Sequence, residues 1–383
     1  MILTSLKYSR FEGEPREWRI VENGNPEKAG RMFGNINLLV GKNAAGKSRT
    51  LSAIRDIARL LSGRLLIEDT IYPTERYEIT FKNTNIQGRY ILAYKKRVIT
   101  EEIYELNGEV MFCRSEGHFF DKAALEEQTG LLARYKVDDG VYFSQALIDW
   151  ADNLRDFQFT NQREKDTLVK DCNHLERDAK NQNSLNSIIY YFNRGLSQFG
   201  EAFTEEILKC MKQIGYSVTD IQMNLHKNGY GLDIEEYGMY RIDQREMSQG
   251  MFRALSYFIQ LVYACMENDS ICVLLDDIGE GLDSDRAKDM LGITMHKIND
   301  TNIQFFVTTN DRDIMNKIPL KFWTVIDRNN GNESIVYNYS NSKDIYEDFR
   351  YTGLCNFDFL ASDFYKKGFS EDIDDEEEDE SFV

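Results

Sequence analysis

The sequence predicts an α/β fold built on a mixed sheet, and three patterns support this prediction. An apolar run from Ile36 to Val40 leads into a glycine-rich loop and then into a segment with helical periodicity. Two later runs, 271–275 and 303–307, are apolar except for Gln304 and end in polar residues, as expected for parallel strands covered on both faces. Runs within the first 120 residues alternate in polarity, which indicates antiparallel strands attached to that parallel core.

The loop after Val40 has the spacing of a phosphate-binding loop, Gly41-x-x-x-x-Gly46-Lys47-Ser48. Its glycines let backbone N–H groups turn towards phosphate oxygens, Lys47 can reach the β- and γ-phosphates, and the Ser48 hydroxyl can bind Mg²⁺. The helix that follows adds its positive N-terminal end to the same site. The predicted nucleotide-binding residues of this loop are Gly41, Asn43, Ala44, Ala45, Gly46, Lys47, Ser48 and Arg49.

The chain divides into four predicted parts. Residues 1–120 form the N-terminal half of the nucleotide-binding core, and residues 121–216, where the composition becomes helical and polar, form a compact helical insertion. Residues 217–369 form the C-terminal half of the nucleotide-binding core. Residues 370–383 form a disordered acidic tail, because like charges repel and such a segment cannot bury apolar surface. Two-residue hairpin turns are predicted at Asn107-Gly108, Asn228-Gly229 and Asn330-Gly331.

The third part carries a helix from about Ser248 to Met266 and the two apolar strands. The first strand ends in two acids. Asp276 is placed to hold Mg²⁺ together with Ser48, directly or through water, and Asp277 is placed to orient the attacking water or accept its proton. Acids at strand ends also occur in purely structural loops, so the functional interpretation of this pair depends on the phosphate loop upstream.

Composition narrows the class of protein. The 383 residues contain no apolar run near the roughly 18 residues that span a bilayer, and the N-terminus lacks the apolar core of a secretory signal. Six scattered cysteines without a C-x-x-C pair predict neither a zinc site nor disulfides. We therefore expect a cytoplasmic protein without a membrane partner. The net charge of −18, with nine carboxylates between positions 371 and 380, counts against DNA as the main partner.

Four stretches together resemble the motifs of ABC-type ATPases. The resemblance is to the SMC-like branch of small bacterial and phage-defence ATPases, related to the overcoming-lysogenisation-defect (OLD) family. Walker A is matched by GKNAAGKS, the signature motif by EMSQGMFRAL, Walker B with the D-loop by ICVLLDDIGEGLD, and the switch strand by FFVTTNDRDIMN. The motifs stand in the family's order, and the similarity spans the chain except its tail. It implies the fold of an ABC/SMC-type P-loop NTPase head. The insertion lacks sustained heptads, so no long coiled-coil arm is expected.

This resemblance implies an ATPase with ATP and Mg²⁺ as cofactors, working as a homodimer or higher homo-oligomer with ATP between two heads. Ser248 and Gly250 of one copy would contact the γ-phosphate held by Lys47 of the other. A helix that begins at Ser248 offers a hydroxyl and free N–H groups to an anion, which fits this role. The alternative is that Ser248 merely caps its helix.

Two positions depart from the family pattern. Asp277 stands where a glutamate is usual, and Asn310 replaces the switch histidine. Asn310 can still hydrogen-bond a γ-phosphate but cannot carry a positive charge. A water displaced by about 1 Å can cost on the order of a hundredfold in rate, so slow turnover is expected. The predicted catalytic residues are Asp277, Lys47 and Asn310.

The resemblance also implies a role. We expect a regulatory or sensor subunit that controls a separate effector in anti-phage defence, since the sequence offers no second catalytic site. The alternative is a DNA-clamping ATPase of repair or recombination that uses the basic run 95–97 or the Arg and Lys residues of the insertion. A transporter subunit is a weaker third option. Candidates for the glutamine that senses magnesium are Gln87 and Gln145, and candidates for the adenine-stacking group are Tyr8, Arg10 and Phe11.

Overall fold

A computed structural model describes most of the chain. The described residues are 1–23, 32–83, 86–115, 129–136, 144–158, 164–166, 168–170, 186–267, 270–299, 301–328 and 332–369. The predicted acidic tail and the predicted turn at Asn330-Gly331 lie outside these ranges.

Fifteen strands run through the described residues. They are β1 (Ile2–Arg10), β2 (Trp18–Glu22), β3 (Ile36–Val40), β4 (Glu75–Lys82), β5 (Gln87–Lys95), β6 (Val98–Leu106), β7 (Glu109–Cys113), β8 (Leu154–Gln158), β9 (Val218–His226), β10 (Gly229–Glu236), β11 (Tyr240–Asp243), β12 (Cys272–Asp276), β13 (Gln304–Thr308), β14 (Trp323–Arg328) and β15 (Glu333–Asn338). Twelve of them form one mixed sheet in the order β7-β6-β5-β4-β1-β2-β15-β14-β3-β13-β12-β8, and β11-β10-β9 form a small second sheet.

The helices of the described residues pack on both faces of the large sheet. They are α1 (Lys47–Ser62), α2 (Gln145–Asp152), α3 (Asn186–Phe199), α4 (Glu201–Gln213), α5 (Gln249–Glu267), α6 (Ser284–Ile298), α7 (Arg312–Lys317), α8 (Lys343–Asp348), α9 (Asn356–Ala361) and α10 (Phe364–Lys367).

The parallel core consists of five neighbouring strands, β14, β3, β13, β12 and β8. Along β12, Val273 and Leu275 face one apolar cluster, whereas Cys272 and Leu274 face the other. Helices therefore cover both faces, and this is why the inner strands β3, β13 and β12 are mainly apolar without alternation. Because parallel strands share one direction, the carboxyl ends of β3, β12 and β13 meet at a single edge of the sheet.

The hairpins differ in how well local sequence predicted them. The turn at Asn107-Gly108 is confirmed, with φ values of 52° and 84°. A turn at Lys96-Arg97 was missed because neither residue is a usual turn former, although φ is 53° and 64° there. The turn predicted at Asn228-Gly229 is shifted by one residue, since Gly229 already pairs with His226 in the strand register.

The stretch predicted as a helical insertion also contributes to the large sheet. Within 121–216 the structure describes α2, α3 and α4, but also β8, which pairs in parallel with β12. The polar sequence LRDFQ of this edge strand gave no apolar run to detect. The domain boundaries themselves remain a prediction.

Glu102 on β6 is a buried carboxylate that binds the segment around residue 132 to the antiparallel region through hydrogen bonds. It is fully buried and accepts four hydrogen bonds of 2.9 Å, from Tyr90 Oη, Arg114 Nη2 and the backbone N–H groups of Leu132 and Ala133. All four partners are donors, which is the arrangement that a carboxylate requires.

Replacing Glu102 by Gln should therefore lower the free energy of unfolding by about 3 kcal/mol, because an amide NH₂ would face donors and the arginine would lose its counter-charge. Denaturant titration measures the free energy of unfolding. The control is Glu105→Gln, whose partner Arg89 is partly exposed, and it should cost under about 1 kcal/mol. Equal effects of the two variants would contradict the assigned role of Glu102.

Candidate functional site

The glycine-rich loop joins β3 to α1 and is shaped for an anion. Gly46 has a φ of 119°, and a side chain there would lie 2.9 Å from the Ser334 hydroxyl on β15, so the loop can close only around a glycine. The Ser334 hydroxyl in turn donates a hydrogen bond of 2.6 Å to the carbonyl of Ala45. A cavity of about 230 Å³ opens over this loop. It is lined by Asn43, Ala44, Gly46, Lys47, Ser48, Arg49 and Asn310.

Gly41 and Ala45, also predicted as nucleotide-binding residues, do not line that cavity but support it from behind. The Gly41 carbonyl accepts a hydrogen bond of 2.8 Å from Lys47 Nζ, and Ala45 is buried. Asn310, which follows β13, does line the cavity, so the structure brings the predicted switch residue to the loop.

The two acids predicted after β12 lie next to the loop. The Ser48 hydroxyl donates a hydrogen bond of 3.0 Å to Asp276 Oδ1. Thr308, at the end of β13, donates to the same oxygen at 2.6 Å and accepts from the backbone N–H of Asp277 at 2.8 Å. Thr308 therefore positions both acids. Sequence reasoning missed it, because its hydroxyl reaches the acids only when β13 lies beside β12.

Burial beside the loop shifts the pKa values of Asp277 and Lys47. The pKa of Asp277 is raised by partial burial and by the neighbouring carboxylates of Glu280 and Asp276. The pKa of Lys47 is lowered by burial, against the opposing effect of Asp277 and Asp276. Asp277 also has a φ of 53°, a conformation that Asp and Asn tolerate better than other non-glycine residues.

The donor set fits Mg²⁺. No cluster of three or more His, Cys, Asp or Glu side chains suited to a metal occurs among the described residues. Mg²⁺ does not need one, since it is commonly held by one or two protein oxygens together with waters and phosphates. The hydroxyl of Ser48 and the carboxylate of Asp276, 3.0 Å apart, supply two such oxygens.

A cationic and aromatic wall flanks the loop on the side of β1 and β2. The guanidinium carbon of Arg49 lies 5.3 Å from the Trp18 ring, and that of Arg10 lies 5.3 Å from Trp18 and 4.7 Å from Tyr72. The pKa of Arg49 is lowered by partial burial and by repulsion from Arg10 and Arg328. Three cations held this close together favour an anionic ligand.

Of the three residues predicted to stack on adenine, only Arg10 belongs to this wall. Tyr8 is buried and donates its hydroxyl proton to Glu75. Phe11 is buried between Tyr72 and the guanidinium of Arg16, which lies 3.7 Å from its ring. The contacts of Tyr8 and Phe11 with their neighbours leave neither ring a free face.

The two glutamines predicted to sense magnesium do not lie near the acids. Gln87 begins β5, and five strands separate β5 from β3 in the sheet. Gln145 is partly buried at the start of α2, and its side-chain amide donates a hydrogen bond to Asp149. Gln158 ends β8, where its backbone stands opposite Asp276 in the strand register.

The predicted signature residues open α5. Ser248 is exposed, and its hydroxyl accepts a hydrogen bond of 3.2 Å from the backbone N–H of Met251, so it does cap the helix. A side chain at Gly250 would lie 2.7 Å from the carbonyl of Gly281 in the D-loop. The start of α5 is thus packed against the D-loop, and Ser248 does not line the cavity of its own phosphate loop.

None of the described helices is both long enough and apolar enough to cross a membrane.

Comparison with known proteins finds similarity in three dimensions only. An SMC head bound to the C-winged helix domain of ScpA is similar over 88% of this chain and 97% of that chain, with 14% identity and a TM-score of 0.54. An SMC head domain with an extended coiled coil, bound to the C-terminal domain of ScpA derived from Pyrococcus furiosus, covers 91% and 99%, with 13% identity and a TM-score of 0.53. No protein-family model and no curated protein matches the sequence. The chain therefore has the α/β fold of an SMC head domain, as the sequence predicted.

Proposed function

We propose that this chain is an SMC-like ABC-type ATPase that binds ATP and hydrolyses it slowly. One observation carries the proposal. At the carboxyl edge of the parallel core, the Ser48 hydroxyl, the Asp276 carboxylate and the Lys47 ammonium surround a glycine-rich loop, with Ser48 and Asp276 in direct contact at 3.0 Å. This is the arrangement that a magnesium nucleotide needs.

The residues of the chain divide the chemistry between them. Loop N–H groups and Lys47 would hold the phosphates, and Asp277 would orient the attacking water and accept its proton. Asn310 would donate a hydrogen bond to the terminal phosphate. Mg²⁺ held at Ser48 and Asp276 would neutralise charge on the phosphate oxygens. The short side chain of Asp277 and the neutral Asn310 both support a low rate.

A second copy of the chain would complete the site. Ser248 is exposed at the beginning of a 19-residue helix, away from the cavity over its own loop. The N-terminal end of a helix attracts anions. We therefore propose a homodimer in which Ser248 and Gly250 of one copy contact the ATP bound by the other, so that the nucleotide holds the two heads together.

Ser248→Arg should abolish ATP-dependent dimerisation and leave ATP affinity within about threefold of the wild type, because the change lies outside the chain's own phosphate site. Mass photometry with excess ATP measures the dimer, and titration calorimetry measures the affinity. Ala202→Arg, which adds the same side chain at an exposed position of α4, is the control and should still dimerise. Dimers of Ser248→Arg would overturn the proposed geometry.

We further propose that the ATPase regulates a separate effector in anti-phage defence. The defence role rests on the sequence resemblance. A separate effector is supported by the lack, among the described residues, of any group of three or more His, Cys, Asp or Glu side chains that could hold a metal ion for a further reaction. The regulatory role is tested by purifying the protein together with the products of its neighbouring genes. The mass of the complex is then measured with and without ATP. An ATP-independent monomer without any partner would contradict it.

The alternative of a DNA clamp gains no support from the described residues. The basic run proposed for DNA contact lies partly in a tight turn, where Arg97 donates to the carbonyl of Thr70 at 2.9 Å. The run supplies only three cations, which can neutralise few phosphates of a duplex. DNA binding by the isolated protein that weakens steeply with salt would revive this alternative.

A further inference from the structure

The C-terminal segment, residues 343–369, reaches back to the phosphate loop. Lys42, the second residue of GKNAAGKS, places its Nζ 3.0 Å from Asp363 Oδ2. Asp363 lies immediately before α10 and more than 300 positions further along the chain. A carboxylate from a distant segment is therefore in direct contact with the loop that would hold the phosphates.

Lys42 belongs to the β/γ-phosphate side of this loop. Lys47 Nζ, the group that reaches the β- and γ-phosphates, donates to the carbonyls of Gly41 and Lys42 at 2.8 and 3.4 Å. The backbone of Lys42 therefore lies beside the position of the terminal phosphates. Its own side chain is 59% exposed, so it can turn from one anion to another.

The carboxylate of Asp363 is held in place from its own segment. Tyr365 is buried against Tyr337 with ring centroids 5.0 Å apart, and its hydroxyl donates to Asp363 Oδ1 at 3.1 Å. Lys366 forms an ion pair of 2.7 Å with Asp327 at the end of β14. Partial burial raises the pKa of Asp363, but the hydrogen bonds from Lys42 and Tyr365 outweigh it and keep the pKa low. Asp363 is thus a fixed anion.

We propose that Asp363 is a specificity-determining residue of the nucleotide site, which competes with the terminal phosphate for Lys42. The inference rests on the proposed ATP binding. A γ-phosphate attracts Lys42 and repels Asp363, so ATP weakens the contact between the loop and the C-terminal segment. Because coupling is reciprocal, a partner that draws this segment away from the loop raises the affinity for ATP by the same factor.

Asp363→Asn should tighten binding of a non-hydrolysable ATP analogue by about three- to tenfold, and binding of ADP by less, because ADP lacks the phosphate nearest Lys42. The variant should fold, since Asn tolerates the φ of 56° at this position. Lys42→Met should weaken binding of the analogue, and the gain from Asp363→Asn should shrink in the Lys42→Met background. Calorimetry on the full chain measures the affinities of the wild type, the two single variants and the double variant for the analogue and for ADP.

The control is Asp344→Asn, which removes an exposed carboxylate from α8 of the same segment and should change neither affinity. Hydrogen exchange in Phe364–Lys367 should become faster when the analogue binds the wild type. The inference is overturned if Asp363→Asn binds the analogue no more tightly than the wild type does, or if its affinity for ADP rises by the same factor. Either result leaves the binding of ATP by the wild type, and so the proposed function, intact. A wild-type chain that fails to bind the analogue overturns the proposed function itself.

Discussion

Asp277→Asn should slow ATP hydrolysis by about a hundredfold or more and leave ATP bound between two copies of the chain. Loss of a positioned base typically costs 10²- to 10⁴-fold, while the amide keeps the size and shape of the side chain. The φ of 53° at this position is accessible to Asn, so the loop and its hydrogen bond from Asp277 N–H to Thr308 should persist. Single-turnover phosphate release measures the rate, and mass photometry with ATP measures the trapped dimer.

The matched control for that experiment is Asp289→Asn on α6, which removes a carboxylate from an exposed position and should leave the rate unchanged. Two results would count against the assigned role. An unchanged rate in Asp277→Asn would mean that another group handles the water. A monomer in excess ATP would mean that nucleotide does not join two heads.

Lys47→Ala should weaken ATP binding by about a hundredfold, since hydrogen bonds to charged groups contribute roughly 1.5–3 kcal/mol each. Lys47 is buried beside the loop and bonds to the carbonyl of Gly41, so its ammonium is already placed for a phosphate. Lys317→Ala, at an exposed position of α7, is the control and should bind as the wild type does. Calorimetry measures the affinity.

The Lys47→Ala variant needs a check on folding, because it removes an ammonium group that interacts with the carboxylates of Asp276 and Asp277. Its melting temperature should therefore be recorded alongside. Retained affinity in a folded Lys47→Ala protein would refute the assignment of this loop as the phosphate site.

Sequence predicted the parts of this site that depend on contiguous residues. The loop, its flanking strand and helix, and the acids after β12 each follow from periodicity and spacing within about 20 positions. The strand order, including the place of β8 beside β12, could not be predicted in this way. The same holds for Thr308, because its role arises only when β13 lies against β12 and brings the hydroxyl to both acids.

The contact between Lys42 and Asp363 shows most clearly what cannot be predicted from the sequence. Each residue is ordinary in its local sequence, a lysine in a polar loop and an aspartate before a short helix. The packing of Tyr365 on Tyr337 and the ion pair of Lys366 with Asp327 place that aspartate at the loop. The turn at Lys96-Arg97 was missed for a different reason, since it uses residues that seldom adopt positive φ and so carries no glycine or asparagine signal.

The hydrogen bond from Ser334 to Ala45 joins residues 289 positions apart, and this has a consequence for synthesis on the ribosome. The glycine-rich loop is translated long before β14 and β15, the strands that pack against it. Contacts between such distant positions form slowly. The nascent chain must therefore remain without an assembled nucleotide pocket until β15 has been made, and ATP can stabilise the pocket only after that.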